Sequence, residues 1–187
     1  MEFKDRVRLD LECTRVEKLL SSGVFLNAVT GEPNLEFWSV IIEILINLRD
    51  LCWFADKAGL RLSWKDDLSA DTACKDVTGL IEFCRDGLCH SHTYHRFIDR
   101  ENEISGIRNL MFGKGIHSKI NGAELRSDHD DDIAIFIGKE RLYLKRHIVR
   151  VFRELLEIFQ REGLISKPVE RFPPQSPAAE PSRSTTG

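Results

Sequence analysis

Thr72–Arg96, TACKDVTGLIEFCRDGLCHSHTYHR, is the stretch around which the rest of the chain is organised. Ala73, Val77, Leu80, Ile81, Cys84 and Leu88 fall at steps of four, three, one, three and four, the apolar stripe of an amphipathic helix. Beside the stripe stand Arg85 and Asp86, followed by His90, His92 and His95. Arg85, Cys89 and His92 are spaced i, i+4, i+7 and share one face of a regular helix. His90 lies roughly 140° round from Arg85 and about 7.5 Å further along the axis. Cationic and imidazole groups therefore gather at one helix end, next to a buried seam.

Working outward, 187 residues give one domain of ordinary size with a core large enough to need no staples. A hydrophobic fraction of 42% and a charged fraction of 30% are those of a globular protein. The net charge of −3 argues against nucleic-acid binding by bulk charge, so any such contact must use a local patch. Cys13, Cys52, Cys74, Cys84 and Cys89 are odd in number and lie mostly inside helical patterns. They read as small buried hydrophobes in a reducing compartment. Met1–Glu12 is densely charged, unlike a secretory leader. Phe37–Ile46 is too short to span a bilayer. A cytoplasmic protein with no membrane contact is expected.

Residues 3–20 predict a first helix with Val7, Leu11, Val16, Leu19 and Leu20 turned inward. After a loop over Asn27–Pro33, Asn34 is suited to cap a second helix from Leu35 to about Ala58, apolar on nearly every side and hence central. Ser69 or Asp71 is placed to cap the motif helix. Beyond the histidines, Asn102–Leu110 reads as a further helix. Ile133–Ile137 is a β-branched run that Gly138-Lys139-Glu140 turns back into Leu142–Leu144. A last helix runs from Leu142 or Lys145 to Arg161. The expected organisation is an all-α helical bundle over residues 1–165 with a small β-hairpin insertion at about 112–144. Residues 166–187, where Pro173, Pro174, Pro177 and Pro181 sit among Ser, Thr, Ala and Gly, are expected to be a disordered tail.

Arg85-Asp86-Gly87-Leu88-Cys89-His90 resembles the signature of the HEPN superfamily (higher eukaryotes and prokaryotes nucleotide-binding): Arg, a polar residue, then His after a spacer of four to six residues. Arg85 to His92 fits the six-residue spacer equally well, so which histidine acts is left open. The resemblance covers the bundle, about residues 1–165 less the insertion. It implies a HEPN-like fold and a metal-independent endoribonuclease, a toxin or defence-system effector, with no cofactor. Arg85 is then the phosphate clamp, His90 (or His92) the acid or base, and Asp86 the orienting group. RNA suits such a site because it carries its own nucleophile, the 2′-OH. Imidazole exchanges protons near neutral pH, and a guanidinium grips two phosphate oxygens at once. The alternative from a different class is a non-catalytic HEPN module that binds nucleotide, RNA or a partner protein.

Each motif also has a plainer explanation. Arg85–Asp86 can be a surface pair beside solvated histidines at a frayed helix end. Cys84, Cys89, His90, His92 and His95, with His117 and His129, match no known zinc spacing, so no metal is expected. The acidic run Asp128–Asp132 around His129 is a solvated loop or a contact for a basic partner. Lys145, Arg146, Arg150 and Arg153 form a basic face on the last helix, with His147 beside them. That face either holds an RNA backbone or is solvated. Finally, an Arg and a His that far apart on one straight helix do not converge. A homodimer is therefore expected, with each centre drawing on both chains, together with an antitoxin or regulatory protein as the resemblance implies.

Overall fold

The computed structural model describes residues 3–26, 35–70, 72–90 and 92–165. Four helices form one layer: α1 (Phe3–Leu20), α2 (Leu35–Lys57), α3 (Val77–Cys89) and α4 (Arg150–Arg161). α2 packs against each of the other three. It can do so because Phe37, Ile41, Ile44, Leu45, Leu48, Leu51 and Ala55 present apolar surface around most of its circumference, and all are fully buried or nearly so. On α1 the inward stripe is Leu9, Cys13, Val16 and Leu20, spaced i, i+4, i+7, i+11. Val7 and Leu11, expected inside, are 42% and 66% exposed. Cys13, a small hydrophobe, completes the true stripe and was left out of the expected one.

Between α3 and α4 the regular structure is mostly strand. Seven strands follow: β1 (Phe97–Asp99), β2 (Ile104–Ser105), β3 (Asn109–Phe112), β4 (Gly115–Ile120), β5 (Ala123–Ser127), β6 (Ile133–Ile137) and β7 (Glu140–Tyr143). They pair antiparallel as β1-β2, β4-β5 and a three-stranded sheet of order β3-β6-β7. With 51% of the described residues helical and 19% in strands, the fold is mixed α/β, and the all-α expectation is corrected. The helix expected at Asn102–Leu110 is replaced by a turn, β2 and the start of β3.

β6 is buried along its whole length because both of its faces are covered. Ile133, Ile135 and Ile137 join the helical core. Ala134 and Phe136 join a second, smaller core with Ile98, Leu125 and Tyr143. The sheet is thus the middle layer, between the helices and the outer hairpins. The expected last helix starts instead as a π-helical turn, Leu144–Val149, that runs directly into α4. Asn27–Pro33, the caps at Asn34 and Asp71, and the tail from Ser166 lie outside the described residues.

Candidate active site at the end of α3

α3 is capped by Asp76, not by Ser69. In an extended conformation, Asp76 accepts a hydrogen bond from Gly79 N at 2.8 Å. Its carboxylate also takes the fork of Arg61, from Nε and Nη2 at 2.9 Å each. Burial pushes this carboxyl up, but the bonds from Arg61 and Gly79 outweigh it and hold the group below its usual range. The start of the motif helix is therefore anchored in the core.

Its other end carries Arg85, Asp86 and His90. α3 stops at Cys89, and His90 is its C-cap with φ −115° and ψ 112°. Leaving helical geometry swings the imidazole back along the helix, and His90 Nε2 meets Arg85 Nη1 at 3.0 Å. The same Nη1 donates to Asp86 Oδ1 at 2.7 Å. The expected divergence of Arg85 and His90 applies to a straight helix, and this helix ends one residue too early for it. A guanidinium can only donate, so the contact requires a lone pair on His90 Nε2 and a proton on Nδ1. Among the described residues every bond of Arg85 runs through Nη1, so the Nε/Nη2 edge of the fork is unengaged. Arg85 is partly buried and His90 exposed. His92 is also exposed but makes no contact to this group among the described residues.

His95 has a structural place. Its ring lies 4.0 Å from that of Phe83 and 4.1 Å from that of Tyr94, and burial lowers its pKa against the pull of Asp86 and Glu82. Gly87 explains the approach of the strands: a Cβ there would sit 2.4 Å from Ile137 Cγ2 and 3.5 Å from His95 Cβ. The space that its missing side chain leaves is filled by the chain itself.

The basic face of the last helix is largely neutralised. Arg146 pairs with Asp131 (2.8 Å) and Asp132 (3.1 Å), and Lys145 Nζ donates to the Asp131 carbonyl. Arg150 pairs with Asp66 (2.9 Å) and Glu154 (2.8 Å) and lies 3.9 Å over Trp64. Arg153 alone of the four is exposed with no partner among the described residues. Asp131 and Asp132 of the acidic run are thus internal partners of the basic turn. Asp132, fully buried, accepts from the backbone N–H groups of Ile133, Lys145 and Arg146 at 2.8–3.1 Å. It caps the π turn from across the sheet.

His147, read from sequence as a neighbour of the basic face, is fully buried. Its Nδ1 accepts from Tyr143 N at 3.0 Å and its Nε2 faces the Asp66 carbonyl at 3.3 Å, which fixes the neutral Nε2–H tautomer. Burial pushes its pKa down to about 4. Among the described residues no three His, Cys, Asp or Glu side chains gather as a metal site would need, and no helix is long and apolar enough to cross a membrane. In comparison with known proteins, no family model, curated protein or solved structure matches this chain.

Proposed function

We propose that the chain is a metal-independent endoribonuclease of HEPN type, with Arg85, Asp86 and His90 as its centre. The observation that carries this is the 3.0 Å contact of Arg85 Nη1 with His90 Nε2 beside Asp86. With substrate bound, Arg85 Nη1 gives up His90 Nε2, whose freed lone pair takes the proton of a ribose 2′-OH. The 2′ oxygen forms a bond to the adjacent phosphorus while the bond from phosphorus to O5′ breaks. The leaving 5′ oxygen takes a proton from solvent, and His90 later releases its own. The unengaged edge of Arg85 grips the non-bridging oxygens as charge builds on them. Asp86 holds the guanidinium in place. His92 is exposed near the same helix end and belongs to substrate contact in this proposal, as does Arg153. A role as toxin or defence effector, a homodimeric state and control by an antitoxin or regulatory protein come with the resemblance and are proposed with it.

The test is to incubate the purified chain with total RNA in EDTA. Cleavage with 2′,3′-cyclic phosphate ends, and none of DNA, is expected. Activity that appears only with added zinc or magnesium contradicts the proposal.

A second reading, a non-catalytic module that binds nucleotide, RNA or a protein, is favoured by the pairing of Arg146 and Arg150 with acids. It leaves little free positive charge on that face of the last helix for a polymer. Binding of RNA without cleavage would select it.

A further inference from the structure

A cleft of about 350 Å³ opens between the β4–β5 hairpin, the β6–β7 hairpin and the Ser69–Ala70 segment. Leu125 and Phe136, 2% and 1% exposed, contribute its apolar wall. Three cations line it: Arg126, Lys139 and Arg141. Its two acids are already engaged, Glu124 with Lys119 (2.6 Å) and Arg126 (3.5 Å), and Asp128 with Arg141 (2.7 Å).

Arg141 is the unusual member, because it is only 8% exposed. Its Nη1 donates to the Arg126 carbonyl at 2.7 Å and pairs with Asp128, and its guanidinium carbon sits 4.8 Å from the Tyr143 ring centre. Those contacts fix the plane of the group. Its Nε is buried and has no acceptor among the described residues. A buried charged donor left unmet is costly, and the Nε/Nη2 edge is the side of a guanidinium that grips an oxyanion with two parallel bonds. The edge is held in position before any ligand arrives.

We propose that this cleft binds a small phosphate monoester, held by the Arg141 guanidinium, flanked by Lys139 and Arg126, with its organic part against Phe136 and Leu125. A dianion suits three cations of which Lys139 has no acidic partner among the described residues and Arg126 only a 3.5 Å contact to Glu124, and the volume is that of a site for a mononucleotide-sized molecule. The site is separate from the Arg85–His90 centre and does not depend on it.

The test is a titration of the full chain, followed by NMR at the arginine Nε–H resonances. The probes are inorganic phosphate, adenosine 5′-monophosphate, adenosine and acetate. The Arg141 resonance, assigned by its loss in Arg141→Lys, should move with both phosphates, with a Kd of about 1 mM or tighter for the nucleotide. Adenosine and acetate should leave it unmoved. Lys139→Ala with Arg126→Ala, both at exposed residues, should weaken nucleotide binding about tenfold and leave the melting temperature unchanged. The double variant keeps the test decisive should Arg141→Lys fail to fold. No movement with either phosphate at about 10 mM, an equal response to acetate, or unchanged affinity in the double variant would overturn the assignment.

Discussion

At the scale of the residue, two side chains show how much a local environment decides. Gly87 sits in a helix interior, where Ala is favoured by roughly 1 kcal/mol on propensity alone. Contact reverses that sign, because a Cβ would lie 2.4 Å from a methyl of the fully buried Ile137. Gly87→Ala should therefore destabilise by about 1–3 kcal/mol, read as a melting temperature lower by several degrees. An unchanged or higher midpoint would show that Ile137 moves aside freely. His147 gives a pH signature. Its pKa is about 4 folded against an ordinary 6.5, so the unfolded chain binds its proton first as pH falls. The stability it contributes is complete above pH 6.5 and is lost between there and pH 4, about 3 kcal/mol in all. Chemical denaturation at pH 7, 5.5 and 4 should show this fall, and His147→Gln should flatten it by that amount. Neither environment was legible in sequence: what faces Gly87 lies fifty residues away, and His147 read as one more member of a basic row.

At the scale of the element, helices were legible where one face decides them, and strands were not where tertiary cover decides them. α1 and α2 announce themselves by period and length. The β6–β7 hairpin is visible in its β-branched run and glycine turn. The β4–β5 hairpin was missed although its signal is present: Asn121-Gly122, with φ of +46° and +82°, is the dipeptide that a tight two-residue turn needs. Its strands carry few large apolar groups. The acidic run was likewise ambiguous, since partnership with Lys145 and Arg146 needs the sheet to bring them together. Asp132 is the member that matters to the fold. Asp132→Ala strips three backbone donors and Arg146 of their acceptor, and should cost about 3–5 kcal/mol. Asp130→Ala, on the exposed part of the same run, should stay within about 0.5 kcal/mol. Equal effects in urea denaturation would remove the cap from its assigned role.

At the scale of the whole molecule, the candidate site was legible in its residues and not in its geometry. Sequence places Arg85, Asp86 and His90 together, but a straight helix separates the Arg from the His and invites a second chain to complete the centre. The C-cap conformation of His90 makes that completion unnecessary for this pair. Mixing inactive Arg85→Ala with inactive His90→Ala protein should accordingly leave cleavage unrestored, since neither chain retains an intact pair. Recovery of activity on mixing would mean that Arg and His act across a dimer. Most direct is the initial rate of RNA cleavage in EDTA for the wild type, Arg85→Ala, His90→Ala, His92→Ala and the Arg85/His90 double variant, each checked for a native circular dichroism spectrum. We predict losses of at least about a hundredfold for Arg85→Ala and for His90→Ala, and little further loss in the double variant because the two act as a unit. His92→Ala should keep most of the activity. A wild type that does not cleave, or a folded His90→Ala protein that cleaves at the full rate, would contradict the assignment of this centre.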